Sequence, residues 1–63
     1  MSKRLRQQAI LDIVSRGRVA NQAVLAEELK KYGDFDVTQA TLSRDIYDLG
    51  LVKSKDGYLR PED

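Results

Sequence analysis

Apolar residues recur at helical spacing through the first sixteen positions of the chain. Leu5, Ala9, Ile10, Ile13 and Val14 fall on one face, which predicts a helix over 3–16 with Ser2 as its cap and Gly17 at its end. A second stripe, Leu25, Leu29 and Tyr32 with Val24 at its margin, follows Asn21, a good N-cap. It predicts a helix over about 22–32, closed by Gly33. The third stripe is Leu42, Ile46 and Leu49 at i, i+4 and i+7. Thr38 precedes it and Gly50 follows, so a helix runs from 38 to 49. Arg18-Val19-Ala20 reads as a short strand between the first two helices, and Phe35 and Val37 seal the corner between the second and third. After Gly50 the helical period stops. Leu51-Val52-Lys53 and Tyr58-Leu59-Arg60 are strand candidates around the turn Lys55-Asp56-Gly57, where Gly57 can take a positive φ. Pro61 stops the second strand. A two-stranded ribbon is marginal alone, so 18–20 is expected to join it as a third strand and the ribbon to rest on the helices.

Helix, short strand, helix, turn, helix, hairpin is the order of an α+β winged helix-turn-helix: three helices with a small antiparallel sheet. The third helix is then the candidate recognition helix and the hairpin, 51–60, the candidate wing. Opposite the buried stripe of the third helix stand Ala40, Ser43, Arg44 and Tyr47, flanked in the first turn by Gln39 and Thr41. Arg44 suits a bidentate pair with guanine or a phosphate, Gln39 suits adenine, and Thr41 offers a hydroxyl and a methyl to base edges. Ser43 can bond a base or a phosphate, and Tyr47 can reach the backbone. Each has a plainer reading: Arg44 can pair with Asp48 at i+4, and Thr38 is a cap rather than a reader. Asp45 and Asp48 flank this face and repel phosphate, so they either limit the groove surface or orient Arg44. On the hairpin, Lys53, Lys55 and Arg60 suit a wing on the sugar–phosphate backbone or in the minor groove. Protection of an exposed strand edge by charge is the alternative.

Sixty-three residues, 41% of them apolar, make one small domain, 1–63, with a stability of only a few kcal/mol. There is no cysteine and no histidine, which excludes disulfides, the usual zinc sites and nucleophile–imidazole pairs. An enzyme, a metal or a cofactor is therefore not expected. No apolar run is long enough to cross a membrane, and a reducing cytoplasm fits best. Net charge is +1, but residues 1–18 carry five cations against Asp12 alone, while 19–50 carry three cations against six acids. Lys3, Arg4 and Arg6 crowd the first turn of the first helix, where the macrodipole disfavours cations. They are expected to face phosphate, the alternative being screened surface charge.

The run Val37-Thr38-Gln39-Ala40-Thr41-Leu42-Ser43-Arg44-Asp45-Ile46, followed by Leu49-Gly50-Leu51-Val52-Lys53, closely resembles the N-terminal domain of bacterial arginine repressors. The resemblance extends more weakly to Arg6–Val14 and Asn21–Leu29. It implies an operator-reading domain of a regulator of arginine metabolism, which represses biosynthetic genes and in some bacteria activates catabolic ones at AT-rich palindromes. It gives the positions of Ser43, Arg44 and Gln39 as DNA contacts. It also implies a C-terminal domain that binds L-arginine as corepressor and builds homo-hexamers. That domain is not among these residues, which end where the family's linker begins. The competing reading is a winged helix used as a protein–protein interaction module, which calls for an exposed apolar patch around Leu11 and Tyr47.

Overall fold

Each of the three helices opens on a side-chain cap, as the sequence predicts. The computed structural model describes residues 2–17, 19–55 and 57–61. Helix α1 spans Lys3–Arg16, α2 spans Gln22–Gly33 and α3 spans Gln39–Leu49. Ser2 Oγ accepts from the Arg4 and Leu5 amides at 3.1 and 3.4 Å. Asn21 Oδ1 accepts from the Val24 amide at 3.0 Å, and Thr38 Oγ1 from that of Thr41 at 3.2 Å. Each bond satisfies one donor that the first helical turn leaves unpaired.

The helix ends differ from one another. Gly50 closes α3 with φ 72°, its amide donating to the Tyr47 carbonyl at 3.0 Å and that of Leu51 to Ile46 at 3.1 Å. At the end of α2 the left-handed residue is Asp34 (φ 59°), not Gly33, which is the last residue of the helix. Gly33 is needed for space: a Cβ there would lie 2.7 Å from the Phe35 ring, which folds back over the helix end.

The hairpin forms in the expected frame, each strand lying one residue nearer the turn than expected. Strands β1 (Val52–Ser54) and β2 (Gly57–Leu59) pair antiparallel, with Val52 opposite Leu59, Lys53 opposite Tyr58 and Ser54 opposite Gly57. Asp56, in the expected turn, lies outside the described residues. The third strand does not form among the described residues, and Arg18 lies outside them. Among the described residues, one backbone bond joins the ribbon to 19–20, from the Tyr58 amide to the Val19 carbonyl at 3.0 Å. The chain turns into the Asn21 cap straight afterwards, so a ladder has no room to extend. Gly57 (φ 111°) permits the contact, since a Cβ there would meet the Val19 carbonyl oxygen at 2.5 Å.

The core is Ala9, Ile10, Ile13, Val14, Val19, Leu25, Leu29, Leu42, Ile46 and Tyr58. Two expected members are not in it. Leu5 is 60% exposed, because Arg6, four residues before Ile10 and seven before Ile13, holds the core line of α1 in its place. Tyr32 is exposed at the end of α2, where its hydroxyl donates to Asp12 at 2.8 Å and Arg16 lies over its ring.

Candidate nucleic-acid interface

With Leu42 and Ile46 buried and Leu49 packed against the core, α3 turns its opposite side to solvent. Gln39, Ala40, Ser43, Arg44 and Tyr47 are exposed there, Tyr47 at 85%. Thr41 is half-buried. Its Oγ1 accepts from the Thr38 hydroxyl at 3.0 Å, so its own O–H remains to donate. The side chain lies in an open depression between α1 and α3, framed by Lys3, Arg6, Ala40, Arg44 and Asp45.

Asp45 corrects the sequence reading most. It is only 1% exposed, and it neither flanks the open face nor orients Arg44. The Arg6 guanidinium grips the carboxylate from across the fold with Nε on Oδ2 and Nη2 on Oδ1 at 2.9 Å, and Gln7 Nε2 donates to Oδ1 at 3.0 Å. Burial pushes the Asp45 pKa up. The hydrogen bonds from Arg6 and Gln7 and the charges of Arg6 and Lys3 outweigh it and hold the carboxyl below its usual range. The same hydrogen bond raises Arg6 above the usual arginine value. Arg6 is therefore not available to phosphate.

The basic first turn of α1 thus serves the acids of α3. Lys3 Nζ lies 3.6 Å from Asp48 Oδ2, with both side chains largely in solvent, a pairing that contributes little stability. It occupies the carboxylate that Arg44 was the i+4 candidate to meet. Among the described residues Arg44 makes no ion pair, and Arg4 is exposed beyond the Lys3 and Arg6 pairs. On the hairpin Lys53 and Lys55 are exposed, with Lys53 Nζ 5.8 Å from the centre of the Tyr58 ring. Arg60 is exposed at the hairpin's end. The structure brings Lys3, Thr41 and Arg44 to one depression and Gln39, Ser43, Arg44 and Tyr47 to one helix side; the wing lysines stand apart from both.

Sequence reasoning missed the Arg6–Gln7–Asp45 cluster, although a signal was present. Asp45 stands three residues after Leu42 and four before Leu49, on the buried stripe. It also missed Gln22, whose Oε1 is buried without a hydrogen-bond partner among the described residues. Among the described residues no group of His, Cys, Asp and Glu could hold a metal ion, and no helix is long and apolar enough to cross a membrane.

The model of the family described as arginine repressor, DNA binding domain, matches residues 1–60. The arginine repressor of Desulforudis audaxviator is 51% identical over 63 residues, covering 94% of this chain and 41% of that protein. That of Syntrophomonas wolfei is 56% identical over 55 residues, covering 84% of this chain and 35% of that protein. A third, from Koribacter versatilis, is 52% identical over 61 residues and covers 97% and 40%. The chain spans about two fifths of the length of these relatives.

Proposed function

The chain belongs to the arginine repressor family, matching its DNA-binding domain, and from that premise we propose that α3 enters the major groove of operator DNA while the hairpin follows the backbone or minor groove. One observation carries this reading. Both carboxylates of α3 are tied to α1, while Arg44 stands exposed without an ion pair among the described residues, beside Ser43, which shares an i, i+4, i+8 row with Gln39 and Tyr47. A helix side cleared of negative charge and lined with donors suits base edges and phosphates. Arg44 and Ser43 are the central contacts, Gln39 reads adenine, Thr41 touches a thymine methyl or a base edge, and Tyr47 reaches a phosphate. Lys3, Arg4, Lys53 and Lys55 add phosphate contacts, Lys3 while it still neutralises Asp48.

The proposal extends to the longer protein of which relatives give the pattern. In it residues 1–63 form the reading domain of a cytoplasmic repressor of arginine metabolism. L-arginine is its corepressor, it assembles as a homo-hexamer, and its operators are AT-rich palindromes. No cofactor is assigned to these 63 residues. The relatives are named as repressors rather than enzymes, and that family likeness, rather than the exposed Leu5 and Tyr47, decides against the protein-docking alternative. The test is a titration at fixed salt against a duplex selected from a random library by the chain itself. Arg44→Ala should weaken that duplex by about 1–3 kcal/mol while random-sequence duplex changes little. Undiminished preference for the selected duplex would overturn the assignment of Arg44.

A further inference from the structure

A small cavity separates the start of α2 from the start of α3, lined by Gln22, Ala23, Ala26, Val37, Gln39 and Leu42. Its walls are apolar apart from two glutamines, each the first residue of its helix. Gln22 Oε1 is buried and has no hydrogen-bond partner among the described residues. A buried carbonyl left unpaired costs free energy that an apolar side chain of the same shape would not. Gln39 borders the same cavity but is exposed on the other side, toward the face assigned to DNA.

We propose that Gln22 is a specificity-determining positioning residue: its Oε1 accepts a hydrogen bond from Gln39 Nε2 on the DNA-bound chain and so fixes which way the Gln39 amide faces. This rests on the reading of Gln39 as a base contact. The hydrogen-bond inventory of the amide makes the argument. A glutamine read against adenine uses its carbonyl for the N6 amino group and one of its two N–H groups for N7. The second N–H is left over, and it points away from the base. Gln22 offers the acceptor it lacks, from a wall that has no other polar side chain. Turned over, the Gln39 amide would set its carbonyl against N7 and its amino group against N6, both mismatched. An acceptor behind the amide makes the turned form lose a bond, so adenine is favoured over a base that the turned amide could meet.

The test uses the 63-residue chain, the self-selected duplex and all single base-pair changes of it. Gln39→Ala should flatten the preference at one base pair, which identifies the pair it reads. Gln22→Met should lower the preference at that same pair by about tenfold and at no other. It should leave the thermal midpoint unchanged or higher, since it removes an unpartnered carbonyl. Gln22→Glu keeps an acceptor oxygen, and should retain the preference at that pair while weakening every duplex alike by its added negative charge. Replacing the adenine by 7-deazaadenine should cost the parent chain affinity and the Gln22→Met variant much less. Full preference in Gln22→Met at the pair that Gln39→Ala flattens would overturn the inference. So would a lowered midpoint with equal weakening of all duplexes, which is the signature of packing alone. If Gln39→Ala flattens no position, the base-contact reading of Gln39 fails first and the inference falls with it.

Discussion

Removing the Arg6 guanidinium would leave Asp45 as an uncompensated charge at 1% exposure. Breaking a buried pair from one side is far costlier than replacing both partners. Arg6→Ala and Asp45→Ala should each lower unfolding free energy by about 3 kcal/mol in urea titrations, a large part of what so small a domain has. The pH dependence has a definite sign. The Asp45 carboxyl is held below its usual range in the fold, so the unfolded chain binds its proton first as acid is added. Its contribution is fully present above the ordinary carboxylate pKa and is lost as pH falls through the lowered one. Asp45→Asn should remove that slope from a stability–pH profile, and an unchanged slope would assign it to other carboxylates. That Asp45 is buried was legible, because its spacing from Leu42 and Leu49 is local. Its partner was not: Arg6 lies 39 residues earlier, and only the docking of α1 on α3 brings the two together.

Helix starts were the most legible elements, because a cap and the amide it serves are three residues apart. Thr38→Ala removes the hydroxyl that both caps α3 and holds Thr41. It should cost about 1 kcal/mol of stability, visible as a lower urea midpoint, and should release Thr41 Oγ1 from its one acceptor bond. The helix ends were less legible. Gly33 does end α2, but it is Asp34 that takes the left-handed conformation, while Gly33 makes room for Phe35. The hairpin was legible in kind and in frame, from Gly57 and the alternation beside it, but not in its partner. A strand at 18–20 could be read from Val19 alone, whereas the single bond it makes depends on how closely β2 approaches. Gly57→Ala should therefore be costly in two ways, through its positive φ and through collision with the Val19 backbone. A destabilisation of at least about 1 kcal/mol, with loss of the Val19–Tyr58 contact in NMR spectra, is the expected result.

At the scale of the whole molecule, net charge of +1 hides how charge is used. The excess of cations at the start of the chain looked like a polyanion surface, and part of it is spent on the two acids of α3. Arg4, Arg44 and the wing lysines remain. Arg4→Ala, Lys53→Ala and Lys55→Ala should each reduce the slope of log affinity against log salt by about 1, with no change in base preference. Lys3→Ala should weaken binding more than its exposure suggests, because it also returns the charge of Asp48 to the interface. The bond from Tyr58 to Val19 has a consequence of another kind. Among the described residues the wing meets the body of the fold through that backbone link, the Tyr58 ring and Leu51, while Ile10, Leu25, Leu29 and Leu42 hold the helices to one another. The ribbon can therefore open by itself, as a unit less stable than the body of the fold. The Tyr58 amide should exchange with deuterated solvent ahead of the central amides of the helices. Its exchange rate then measures how firmly the wing is seated, on the chain alone and with no DNA present.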